Sequence, residues 1–181
     1  MPNKRLLSPL RGWDGLSAAA RLQVRPKAGR YALSKVLIQD IDLEPLLHEF
    51  VTEQHQLLAN DSSEQAISHQ LAMKLAGAFS GWHVDCEYNR DMEKIKRLIY
   101  AISPDGSVSE RNVVPDIIIH RRMTNDNLIA IEVKKSTNQE QSFKDLSKLK
   151  AFREQLGYQH TLFVRFLTGS ESTGIAEHEF V

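Results

Sequence analysis

The spacing of apolar residues changes period several times along the chain, and each change marks an element. Behind Asp42, a good helix cap, Leu46, Leu47, Phe50, Val51, Leu57 and Leu58 recur at helical spacing, with Pro45 tolerated in the first turn. This predicts one amphipathic helix over Asp42–Ala59. Asn60-Asp61-Ser62-Ser63 breaks it, and Ser62 with Gln65 forms a capping-box pair that opens a second helix running to about Gly81. Ile67, Leu71, Leu75 and Phe79, four apart, are its buried stripe. Trp82–Asn89 alternates Trp82, Val84, Cys86 and Tyr88 with His83, Asp85, Glu87 and Asn89, the pattern of a half-buried strand. Arg90–Asn112 is charged and turn-rich and reads as a hairpin arm or small insertion, with Met92–Ala101 able to form a short helix. Two β-branched runs follow, Val113–Ile119 and Leu128–Val133, separated by the polar segment Arg121–Asn127; this is a hairpin with a longer loop. Gln139–Leu156 is helical, apolar at Phe143, Leu146, Leu149, Phe152 and Leu156 and stopped by Gly157. Tyr158–Leu167 is a buried strand, and Ile175–Val181 either adds an edge strand or stays mobile. The expectation is an α/β sandwich with a small mixed sheet at its centre.

The hairpin carries charges that a buried strand should avoid, Asp116 in its first run and Glu132 and Lys134 in its second. Side chains alternate across a strand, so Glu132 and Lys134 share one face while Ile129, Ile131 and Val133 take the other. Antiparallel closure symmetric about Thr124 sets His120 opposite Leu128 and Asp116 opposite Glu132. Two carboxylates about 4 Å apart repel by roughly 4 kcal/mol at an effective dielectric near 20. They need a proton, a basic partner or a cation, and Mg²⁺ typically takes one or two carboxylates plus water and substrate phosphate. The plainer alternative is a solvated hairpin in which Glu132 pairs with Lys134 or Lys135 at little gain.

Pro115-Asp116, followed by Glu132-Val133-Lys134 on the next apolar strand, resembles the PD-(D/E)xK nuclease superfamily, with its restriction-endonuclease-like fold. The likeness covers about 62–167. It implies a small central mixed sheet flanked by helices and an Mg²⁺-dependent phosphodiesterase, with Mn²⁺ as a substitute. The metal ligands it implies are Asp116, Glu132 and the Val133 carbonyl, and Lys134 would orient or help deprotonate the attacking water. A helix ahead of the core strands often adds a Glu to such sites, a place that Glu64 matches. Otherwise Glu64 is a first-turn acid complementing the helix dipole. Glu87 is a further candidate for the acidic cluster or a surface acid; His69 lies outside the stripe and reads as solvated. The helix after the ExK strand often sends a polar residue toward substrate in this superfamily, which makes Lys144 and Lys148 phosphate contacts or simply a solvated face. The resemblance implies nucleic acid as substrate, DNA ahead of RNA, endonucleolytic rather than exonucleolytic cleavage, and a defence, mobile-element or repair setting. The rivals are a non-catalytic module binding nucleic acid or protein on the same fold, and a toxin or effector nuclease held by a partner.

Composition is that of an ordinary globular chain, but its charge is uneven. Formal net charge is zero over 181 residues, yet residues 1–35 hold eight Lys or Arg and one acid, leaving +7 there and −7 in the remainder. Residues 1–40 therefore read as a basic arm ahead of a domain at 41–181. Arg21, Arg25, Lys27 and Arg30 are its densest cluster, suited either to phosphates or an acidic partner or to plain solvation. The lone cysteine, Cys86, excludes an internal disulfide and reads as a core residue. His83 and Cys86 are too few for a structural zinc site. No apolar run approaches a membrane span and the first residues lack a secretory core, so the expectation is a cytoplasmic protein. Double-strand cutting with one site per domain would call for a homodimer.

Overall fold

A computed structural model of the protein describes residues 37–88, 90–91, 94–95, 97–101 and 105–181. Arg21, Arg25, Lys27 and Arg30 lie outside the described residues. The chain divides at Ser34/Lys35, and the second unit, Lys35–Val181, contains every element below. It starts with a two-stranded hairpin, β1 (Leu37–Ile38) and β2 (Ile41–Asp42), turned by Gln39 and Asp40 at φ 52° and 64°, the pair of positive angles a tight hairpin turn requires. Ile38 is buried in the core, so the domain begins before residue 41.

Asp42 caps α1 (Leu43–Glu53) by accepting from the Glu44 N–H. The single helix expected over Asp42–Ala59 is two, with α2 (His55–Ala59) restarting after Gln54. The polar residues Thr52, Glu53, Gln54, His55 and Gln56 separate the two apolar groups, so no core contact anchors the turn between them. In α3 (Glu64–Ala78) the cap is Ser63, whose Oγ accepts from the Ala66 N–H, and Gln65 reaches Glu87 instead of closing a capping box. Ile67, Leu71, Leu75 and Phe79 are all buried, as the stripe requires.

The strands that follow are β3 (His83–Cys86), β4 (Arg90–Asp91), β5 (Lys94–Ile95), β6 (Arg97–Ala101), β7 (Val108–Asn112), β8 (Ile117–His120) and β9 (Asn127–Lys135). After them come α4 (Phe143–Leu156), β10 (His160–Leu167) and β11 (Gly174–Phe180). Five form one mixed sheet in the order β11-β10-β9-β8-β3, with β9 and β10 parallel across the α4 crossover and the other pairs antiparallel. β11 realises the edge-strand option for the tail. The short helix considered for Met92–Ala101 is replaced by the β4–β5 and β6–β7 hairpins. Period-two burial explains it: Leu98 and Tyr100 are buried while Ile99 between them is 56% exposed.

The β8–β9 register pairs Ile117 with Ile131, Ile118 with Ala130 and Ile119 with Ile129, as symmetric closure about Thr124 requires. It then shifts by one, setting His120 opposite Asn127 and not Leu128. The loop causes the shift, because Arg121 N–H bonds the Asp126 carbonyl at 2.9 Å and Met123 adopts φ 61°. Alternation gives the sheet two buried faces. Ile117, Ile119, Ile129, Ile131 and Val133 share one core with Phe50, Leu71 and Phe166, while Ile118, Ala130 and Phe163 share another with Leu149 and Phe152 of α4. Cys86 belongs to neither core and is exposed: it ends β3 at the sheet's rim, where Glu87 turns the chain away at φ 49°. Among the described residues no helix is long and apolar enough to cross a membrane.

Candidate active site

Asp116 precedes β8, and its Oδ2 accepts the Val133 N–H at 2.7 Å. Extending the β8–β9 register by one step sets Asp116 beside Glu132. A residue's N–H and C=O point toward the same neighbouring strand, so the Val133 carbonyl also opens on the Asp116 side. Glu132 and Lys134 lie on the α4 face of β9, and both are buried, at 3% and 9% exposure. The solvated-hairpin alternative therefore fails; a helix covers these charges.

That helix brings the partners. Lys148 Nζ lies 2.6 Å from Glu132 Oε2, and Asp145 Oδ2 lies 3.3 Å from Lys134 Nζ, which also reaches Glu140 at 3.4 Å. Asp145 and Lys148, three apart on α4, cross Glu132 and Lys134, two apart on β9, to make two ion pairs of opposite polarity. Glu132 Oε1 is buried with no hydrogen-bond partner among the described residues. Lys148 therefore turns inward, against the solvated-face option, while Lys144 is exposed. Sequence reasoning missed Asp145, though a signal was present: Asp145, Leu149 and Phe152 follow helical spacing, so an acid stands in the buried stripe of α4.

The electrostatics follow from this burial. Desolvation pushes Glu132 up to about 8, with Asp116 adding repulsion and Lys148 pulling the other way. Desolvation likewise raises Asp116, opposed by the Val133 N–H and Lys148 and reinforced by Glu64 and Asp145. Burial works against the charged form of Lys148, but Glu132 and Asp116 outweigh it and hold its ammonium above the ordinary lysine range. Burial likewise opposes charge on Lys134, and Asp145 and Glu64 outweigh it.

Glu64, in the first turn of α3, accepts from the Lys135 N–H at 3.1 Å and the Asn138 side chain at 2.9 Å. It fixes the chain immediately beyond Lys134, and its charge acts on both Asp116 and Lys134. Asp61 ties the same region from outside, accepting from Thr137 and Thr168 at 2.7 and 2.9 Å and pairing with Lys135 at 3.1 Å. His69 and Glu87 are exposed, and Glu87 is a surface acid bonded to Gln65. At the other end of β8, about 13 Å away for four residues of strand, His120 and Arg122 both bind Asp85. Burial would raise Asp85, yet Arg122 and His120 hold its carboxyl below the usual range. This network closes the hairpin end and lies away from the acid pair.

Beside the ion pairs of Lys134 and Lys148 a cleft of about 460 Å³ is lined by Tyr100, Val113, Val114 and Gln141 together with Lys134, Lys144, Lys148, Glu140 and Asp145; Asp116 and Glu132 lie behind this lining. No group of three or more His, Cys, Asp or Glu side chains placed to hold a metal ion is found among the described residues. The Asp116–Glu132 pair still suits a hard divalent cation, because Glu132 Oε1 is buried without a hydrogen-bond partner among the described residues and the Val133 carbonyl opens on the Asp116 side. The fold and site thus define a mixed α/β domain in which an acid pair on neighbouring strands adjoins a lysine-lined cleft. No protein-family model, curated protein or solved structure matches the chain.

A raised carboxyl pKa has a direct consequence for stability. Folded Glu132 keeps its proton up to about pH 8, whereas unfolded it loses it near 4.5. Stability from this group is thus fully present below the unfolded value and is lost as pH rises through the window up to about 8. Without added metal, the unfolding free energy should fall between pH 5 and 8 with a slope of about 1 kcal/mol per unit from this residue. Urea titrations across that range check it: Glu132→Gln should flatten the slope, and an unchanged slope would show that Glu132 is not its source.

Proposed function

We propose that the chain is a divalent-metal-dependent nuclease of the PD-(D/E)xK kind, hydrolysing phosphodiester bonds of nucleic acid, DNA ahead of RNA and within the strand rather than from its ends. One observation carries the reading: Asp116, half-buried just ahead of β8, faces the buried Glu132 of β9, whose Oε1 has no hydrogen-bond partner among the described residues, and Lys134 on the same face of β9 lines the cleft. Asp116, Glu132 and the Val133 carbonyl would hold Mg²⁺ or Mn²⁺, with Glu64 tuning the site through the backbone that follows Lys134. Such an ion, when bound, polarises a phosphoryl oxygen and lowers the pKa of its water. Lys134 is held by Asp145 and Glu140, which fixes its ammonium where a water and a phosphate oxygen can both be met. Lys144 and Lys148 add positive charge to the cleft wall for the phosphate backbone. Asp116 has no equally placed substitute and is the ligand whose loss matters most.

The test is incubation of the purified chain with single- and double-stranded DNA and with RNA, in Mg²⁺, in Mn²⁺ and in EDTA. Cleavage should require metal, stop in EDTA, and vanish in Lys134→Ala. A chain that cuts none of these polymers in either metal refutes the reading. The Lys148–Glu132 ion pair favours a second reading, because it offsets part of the acid pair's repulsion without a metal. On that reading the domain is a non-catalytic binding module, and retention of nucleic acid without cleavage, unaffected by EDTA, would select it.

A further inference from the structure

We propose that Lys148 and a divalent cation exchange at Glu132, so that the cation's arrival turns the Lys148 ammonium into the cleft, where it meets a substrate phosphate. This inference rests on the metal-dependent reading above and assigns different tasks to the two buried lysines.

Glu132 divides its oxygens. Oε2 accepts the Lys148 ammonium at 2.6 Å, and Oε1 has no partner among the described residues. Asp116 adds a second negative charge, and Lys148 is the ammonium whose attraction is felt by both carboxylates. The pair carries −2 when ionised, so a lysine leaves it short of neutrality whereas a divalent ion completes it. Once both were present, the ammonium would face a doubly charged neighbour across one carboxylate, a repulsion the buried setting does little to screen. Lysine suits such an exchange because its compact charge rides on a flexible stem. Lys148 also lines the cleft, so its swing ends in space open to a ligand. Lys134 differs: Asp145 and Glu140 both hold it, and neither carboxylate is a proposed ligand, so it stays in place. The cation therefore releases one lysine toward substrate while the other remains fixed. By linkage, a phosphate polymer that accepts the released ammonium strengthens metal binding, and metal strengthens polymer binding.

The full chain is pulsed at fixed pH with an amine-acylating reagent, without and with saturating Mn²⁺, and each lysine is quantified by peptide mass spectrometry. Lys144, exposed on the same helix, is the internal reference, and calorimetry in the same buffer registers Mn²⁺ binding. Relative to Lys144, Lys148 should be acylated faster with Mn²⁺ by at least about fivefold, the lower end of ordinary coupling between sites, while Lys134 should not change. In Asp116→Asn, Mn²⁺ should no longer unmask Lys148. If heat of binding is registered but Lys148 reacts at its metal-free rate, the exchange is overturned and the metal-dependent reading survives. If no Mn²⁺ binds at all, both fall. The wild-type comparison stands without any variant, so poor folding of Asp116→Asn would not blunt it.

Discussion

Exchanging Asp116 for asparagine should lower metal-dependent cleavage by about 10³-fold or more, corresponding to about 4 kcal/mol of lost charge stabilisation, with no loss of folding stability. The asparagine carbonyl can still accept the Val133 N–H that Asp116 binds at 2.7 Å, so the strand end keeps its shape. What disappears is one of two carboxylates that burial and mutual repulsion already disfavour. Removing that repulsion should leave the urea midpoint unchanged or raise it, the trade-off expected where a site holds like charges for chemistry. Asp116→Ala should abolish cleavage equally but also lose the hydrogen bond, at a cost of about 1 kcal/mol. Single-turnover cleavage and urea unfolding of both variants settle the matter, and activity within tenfold of wild type in Asp116→Asn would remove Asp116 from the ligand set.

Lys148→Met should destabilise the domain by about 3–5 kcal/mol at pH 9, the usual effect of stripping one partner from a buried ion pair. Glu132 is nearly inaccessible, and with its nearest cation gone it must hold an uncompensated charge or take up a proton against the bulk pH. At pH 5 the same substitution should have a much smaller effect, because Glu132 then carries a proton in the folded state whether or not Lys148 is present. Combining Lys148→Met with Glu132→Leu should recover most of the loss at pH 9, since the desolvated charge has gone as well. Chemical denaturation of the three variants at both pH values measures this. A loss equal at pH 5 and 9 would mean that Lys148 contributes by packing its stem and not by its charge.

Much of this arrangement was legible because it follows from local periodicity. The β-branched runs either side of Arg121–Asn127 specify a hairpin, and its centre gives the register that pairs Ile117 with Ile131 and sets Asp116 beside Glu132. The stripe on α3 was equally plain, being apolar at every fourth position. The sequence was silent where two distant segments decide jointly. Lys148 sits on a helix rich in lysine, and only the position of α4 over β9 shows that this lysine, and not Lys144 or Lys150, faces Glu132. Asp145 was passed over because Leu146 beside it drew the apolar face a little to one side, although both Asp145 and Leu149 are buried. The one-residue slip at His120 depends on loop hydrogen bonds that no strand pattern encodes. The β6 strand was hidden by charged neighbours that made a helix equally plausible.

The two end strands of the large sheet carry a consequence for assembly. β3 is four residues long and stops where Glu87 bends the chain, and β11 presents exposed Glu177 and Glu179 along the opposite border. Short or acidic borders resist annealing to a second sheet, which keeps an isoleucine-rich interior from seeding fibrils. On the nuclease reading proposed above, two copies brought to one duplex would accordingly keep their sheets discrete.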